Sequence, residues 1–152
     1  MEVYPHLYTS SYESILDDNI IQKRKIKCII HISKRKRFLN IDDIEELRIP
    51  IEFNESDQDY NIHYLNIELH NYIHDMIDFI HDKLKECKSV LLLGYSHRQE
   101  IDSLVVGFYI KYGKVTPEIA INYLKSKKKN IFLPDCLYED CLNRLYEDLH
   151  KK

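Results

Sequence analysis

The sequence predicts an α/β fold, a central and mostly parallel sheet flanked by helices on both sides. Three observations carry that reading. Dense runs of β-branched and aliphatic residues, "IKCIIHIS" at 26–33 and "SVLLL" at 89–93, read as buried strands. Segments with apolar residues at spacings of three and four lie between and after the strands and read as helices. The resulting order is strand–helix–strand–strand–helix–strand, then three helices, and strands alternating with helices build a parallel sheet.

Each element has its own local reason. "VYPHLYTSS" (3–11) alternates enough for a short strand, and "SYESILDDNIIQKRK" (11–25) reads as a helix with Ile15, Ile20 and Ile21 on its apolar side. Residues 34–60 are polar and mixed. They read as a divergent excursion, with a helical piece at "IDDIEEL" and an extended piece at "RIPIEF". "NIHYLNIEL" (61–69) alternates apolar and polar residues, which predicts a strand. "NYIHDMIDFIHDKLKEC" (71–87) carries Ile73, Met76, Ile77, Ile80, Leu84 and Cys87 at helical spacing. Residues 100–112 form a helix with Ile101, Leu104, Val105, Phe108 and Tyr109 on one face and Gly113 as its stop. Thr116 caps the next helix, with Pro117 at its first position and lysines at its end. The last helix carries Leu137, Cys141, Leu142, Leu145 and Leu149 as its stripe.

Composition narrows the function. A chain of 152 residues is one domain by length, long enough to bury a core. The abundance of Tyr, Ile, Lys and Asn points to an AT-rich coding source, such as some viruses or protists. A net charge of −3 argues against nucleic acid as a partner, and the basic runs at 34–37 and 125–129 read as solvated lysines and arginines. The four cysteines, Cys28, Cys87, Cys136 and Cys141, match neither a zinc nor a redox motif. With no apolar run long enough for a membrane, the expectation is a reducing cytoplasmic or nuclear setting. His70, His74 and His81 have helical spacing but no clear further ligand, so they read as a polar helix face. No metal and no cofactor are expected.

The stretch "VLLLGYSHRQEIDSLVVGFYI" (90–110) joins a buried strand, a short polar loop and a helix, the layout of an anion site. Taken in order, "VYPHLYTSS", "IKCIIHIS", "IDFIHDKLKECKSVLLLG", "VTPEIAINYLKSKKK" and "PDCLYEDCLNRLYEDL" resemble the successive segments of dual-specificity phosphatases, over nearly the whole catalytic domain. The resemblance implies the dual-specificity-phosphatase-like fold for residues 1–152. That family's signature reads V-L-V-H-C-x-x-G-x-x-R-S. On this chain its histidine falls on Leu93, its nucleophilic cysteine on Gly94, its glycine on His97, its arginine on Glu100 and its serine on Ile101. Tyr95, Ser96, Arg98 and Gln99 fill the variable positions.

The chemistry needs the residues that are replaced. A thiolate attacks phosphorus, loop amides and an arginine fork hold the phosphate oxygens, and an acid protonates the leaving oxygen. Gly94 has no side chain to form a phosphoenzyme. A carboxylate at Glu100, placed about 5 Å from one phosphate charge, opposes it by roughly 3 kcal/mol at an effective dielectric near 20. Attraction to a helix N-terminus, about 0.3–2 kcal/mol, does not offset that. The resemblance places the general-acid region at His70 or Asn71, after "YLNIEL", with Asp57 and Asp59 upstream.

The expectation is therefore a pseudophosphatase that binds a protein partner as a scaffold or regulatory module, without phosphate. The partner is a second copy, a kinase substrate or an active phosphatase. The alternatives are a phospho-residue reader and an enzyme of altered chemistry on the same fold.

Overall fold

A computed structural model describes residues 1–51, 61–96, 98–133 and 135–151. Five strands form one sheet: β1 (Glu2–Tyr4), β2 (Leu7–Ser11), β3 (Ile26–Ile32), β4 (Glu45–Ile49) and β5 (Ser89–Gly94), in the order β1-β2-β5-β3-β4. β1 is antiparallel to β2, and every other pairing is parallel. The helices are α1 (Ile15–Asp18), α2 (Ile20–Lys23), α3 (Ile62–Lys85), α4 (Glu100–Tyr112), α5 (Pro117–Lys127) and α6 (Glu139–Leu149).

β5 is central because it is apolar on both faces. Val90 and Leu92 join the larger core, beneath α3 to α6; Leu91 and Leu93 join a smaller core that Ile15 and Ile20 close from the other side. All four are 0% exposed, and each such leucine contributes roughly 1.5–3 kcal/mol relative to an exposed one. Its register against β2 and β3 brings Gly94 opposite Ser11 and Ile32, at the carboxyl ends of three parallel strands. That edge is the ligand end of such sheets.

Four sequence expectations are corrected. Residues 61–69 are the start of α3 rather than a strand. Leu65, Asn66, Leu69, Ile73, Ile77 and Ile80 form its buried stripe, whereas Ile62, Tyr64 and Ile67, on which the alternation depended, stay exposed. Residues 45–49 are an edge strand rather than part of a helix, and they extend the sheet inside the expected excursion. The expected first helix is broken at Asn19, which takes a left-handed φ of 50° between α1 and α2. The opening strand is a hairpin, turned at His6 with φ of 67°.

Two helix starts carry side-chain caps, the Thr116 cap as expected and the Asn61 cap outside the sequence reading. Thr116 Oγ1 accepts the Ile119 amide with Pro117 at the first helical position, and Asn61 Oδ1 accepts the Tyr64 amide at the start of α3. Asn66, 4% exposed, ties α3 to α6. Its Nδ2 donates to the carbonyls of Ile62 at 2.8 Å and Leu137 at 2.9 Å, and its Oδ1 accepts from Cys141 N at 2.8 Å. Among the described residues no helix is long and apolar enough to cross a membrane.

Candidate functional site

The loop between β5 and α4 sits at the carboxyl edge of the sheet, as its strand–loop–helix pattern requires. Leu93 is buried in the smaller core, and the Gly94 carbonyl accepts the Tyr12 amide at 2.9 Å. A Cβ built on Gly94 would stand 2.9 Å from Ile101 Cδ1 and 3.3 Å from the Ile32 carbonyl oxygen. Ile101 therefore fills the space that a side chain at position 94 needs. Tyr95 packs on Tyr12 with ring centroids 5.0 Å apart.

Ser96 is held by an acid. Its amide donates to Glu13 Oε2 at 2.9 Å and Oε1 at 3.2 Å, and its hydroxyl also bonds Oε2. A backbone N–H of the loop thus already serves a carboxylate of the chain itself. His97 lies outside the described residues. Arg98 lines a cleft of about 780 Å³ beside the loop, with Ser10, Ser14, Ser96, Lys128 and Lys129.

Gln99 works as a clamp. Its Nε2 donates to the Asp135 carbonyl at 2.9 Å and its Oε1 accepts the Leu137 amide at 2.7 Å, fixing the segment that leads into α6. Glu100 opens α4 and is only 2% exposed. Tyr138, at the start of α6, is fully buried as well. Burial first, and then the Glu100 carboxylate, push the Tyr138 phenol far above its ordinary pKa.

The cleft floor is an ion pair. Lys128 Nζ lies 2.6 Å from Asp102 Oδ1 and 3.4 Å from Thr9 Oγ1. Burial raises the Asp102 carboxyl and Lys128 opposes the rise. Behind the loop, Tyr12 Oη donates to His31 Nδ1 at 2.7 Å and His31 Nε2 donates to Glu46 Oε1 at 2.6 Å, a chain that suits a neutral imidazole. Burial lowers the pKa of His31, which is 0% exposed, against the pull of Glu46. Burial also works against ionised Glu46, but the His31 ring and the amides of Leu39 and Asn40 outweigh it and hold that carboxyl low.

His70 and Asn71 are not at this site. Both lie in the interior of α3, the physical consequence of that helix beginning at Ile62. His70 Nε2 instead meets Asp148 Oδ2 on α6 at 2.8 Å, and His74 Nε2 meets the same oxygen at 2.8 Å. The two imidazoles, His74 first, hold the Asp148 carboxyl down at about 2. His81 takes no part and stacks on Tyr112 at 3.8 Å. Asp57 and Asp59 lie outside the described residues. Sequence reasoning missed Glu13 and Asp148, which reach their partners across 83 and 74–78 residues with no local signal.

The geometry has close counterparts among solved structures. The chain superposes on human DUSP28 with a TM-score of 0.77, covering 97% of this chain and 96% of that one at 13% identity. DUSP15 gives 0.76 over 98% and 93% at 18% identity. The fold is that of the dual-specificity phosphatases. The human tyrosine phosphatase-like serine/threonine/tyrosine-interacting protein shares it, with a TM-score of 0.73 over 97% and 95% at 17% identity. No protein-family model matches the sequence, and no curated protein matches it.

Proposed function

We propose that this chain is a pseudophosphatase, a dual-specificity-phosphatase-like domain without catalysis that serves as a protein-binding scaffold or regulatory module. The observation that carries the reading is the residue at the carboxyl end of β5. Glycine stands where the resemblance puts the nucleophile, and the space for a side chain there is filled by Ile101. Without a thiolate there is no attack on phosphorus. One further contact and one residue identity support the absence of phosphate binding: Glu13 already takes the Ser96 amide, and no arginine stands at position 100 to form a fork.

The partner of such a module is a protein: a kinase substrate, an active phosphatase or a second copy. One structural neighbour is named for being phosphatase-like and for interacting. Ile119 and Tyr123 lie one turn apart on α5, 55% and 49% exposed, the kind of aliphatic–aromatic pair that anchors interfaces. Four unpaired thiols suit a reducing compartment, the cytosol or the nucleus.

Affinity capture with mass spectrometry, beside light scattering on the pure protein, tests the binding role. A saturable protein partner or a stable dimer, lost on Tyr123→Ala, supports it. A strictly monomeric protein that captures nothing contradicts it. The reader alternative rests on Arg98 and Lys128 in the cleft. Calorimetric titration with sulfate and phosphotyrosine decides it: no saturable heat is expected, and binding that Arg98→Ala removes would establish a reader instead.

A further inference from the structure

We propose that His70, His74 and Asp148 form a binding site for a divalent transition-metal ion, of the zinc class, that staples α3 to α6. The three ligand atoms all lie within 4.8 Å of one another. Both imidazole Nε2 atoms point at one oxygen, Asp148 Oδ2, each at 2.8 Å. The other oxygen, Oδ1, faces Lys151 Nζ at 3.6 Å. His70 and His74 are separated by four residues on α3, so they rise from the same face of one rigid helix. Asp148 comes from a second helix that is fixed independently, through Asn66, Leu137 and Cys141.

The geometry is within reach of a metal. Tetrahedral zinc holds imidazole nitrogen and carboxylate oxygen at about 2.0–2.2 Å, which puts neighbouring ligand atoms roughly 3.3 Å apart. The nitrogen–oxygen distances of 2.8 Å need to open by only about half an ångström, a small side-chain rotation. Two imidazoles and one carboxylate suit zinc and its neighbours rather than magnesium or calcium, which prefer oxygen throughout. The side chains are 19%, 35% and 26% exposed, so an ion reaches them from solvent and a water completes the fourth position. Sequence alone hid the site because its third ligand is supplied 74 residues after His74.

The test is titration of the purified, metal-free chain with zinc ions alone, read by calorimetry and by competition with a chromogenic chelator. One equivalent should bind, and cobalt(II) in its place should give the intense visible absorption of a tetrahedral site. His74→Ala and Asp148→Asn should each weaken binding roughly tenfold or more. Circular dichroism checks that both variants keep their helices. Cys87→Ser, which removes the exposed thiol, should leave zinc binding unchanged. No binding at micromolar zinc overturns the proposal, and so does binding that survives Asp148→Asn and disappears with Cys87→Ser.

Discussion

Ile101 Cδ1 lies 2.9 Å from where the Cβ of any side chain at position 94 would stand, so the residue after Glu100 shapes the loop around a glycine. The terminal methyl of Ile101 can give way, but the Ile32 carbonyl, 3.3 Å from the same point, is backbone and cannot move cheaply. Gly94→Ala should therefore cost about 1–3 kcal/mol by overpacking. Ile101→Val, which deletes the offending methyl, should recover part of that cost in the double variant. Urea denaturation of the two single variants and the double variant measures the coupling. Strict additivity would show that the two positions do not compete for space.

The same contact bears on repair. Gly94→Cys alone should leave the protein inactive toward aryl phosphates, because the new thiol is crowded and faces no arginine. Adding Ile101→Ser and Glu100→Arg supplies room and a fork, and slow turnover is expected only from the triple variant. Activity from Gly94→Cys alone would contradict this reading of the loop.

Asn66 is a buried polar tie between α3 and the start of α6. Asn66→Ala leaves the buried amide of Cys141 and the Leu137 carbonyl without this partner, and each such group costs about 1–3 kcal/mol. A loss of about 2–4 kcal/mol is expected in denaturant unfolding. A loss below 1 kcal/mol would mean that water replaces the amide without penalty.

Much of the fold was legible in the sequence, for a physical reason. β3 and β5 are buried on both faces, so their aliphatic runs have no other stable use. α5 announces itself by its cap, Thr116 followed by Pro117. The start of α3 misled because Ile62, Tyr64, Leu65 and Ile67 satisfy two periods at once, and only packing selects the helical one. β4 misled because an edge strand tolerates charge. Its Glu46 serves His31, and its Arg48 serves the Ser33 and Lys36 carbonyls, so a polar stretch became structural through partners far along the chain. The site was legible as a strand–loop–helix. The burial of Glu100 was not, because it depends on packing with residues far along the chain.

Acid should weaken the fold through the His31–Glu46 pair. The folded pKa of His31 lies below its ordinary 6.5, so the unfolded chain takes up that proton first as pH falls. Stability is thus lost in the window below 6.5. Glu46 adds a second loss below its ordinary 4.5, since its folded pKa is also lowered. Tyr12, Glu46 and Arg48 are the groups around the ring. Unfolding free energy measured between pH 7 and pH 5 should fall, and His31→Gln should flatten that slope. An unchanged slope in the variant would place the acid sensitivity elsewhere.

Glu13 should govern what anion affinity the loop has. Glu13→Ala releases the Ser96 amide and removes a negative charge beside Arg98's cleft. Weak sulfate binding should appear in the variant where the unaltered protein shows none. Equal heats from both proteins would show that the amide is not the limiting donor.

Hydrolysis itself tests the central claim most directly. Purified protein is incubated with p-nitrophenyl phosphate and with phosphotyrosine, phosphoserine and phosphothreonine peptides, and phosphate release is followed against buffer. A chain with Gly94 where the resemblance puts the nucleophile should release phosphate no faster than buffer at any pH from about 5 to 8, a window that spans the ordinary imidazole titration. Turnover above background that persists when Cys28, Cys87, Cys136 and Cys141 are all replaced by serine would contradict the pseudophosphatase account.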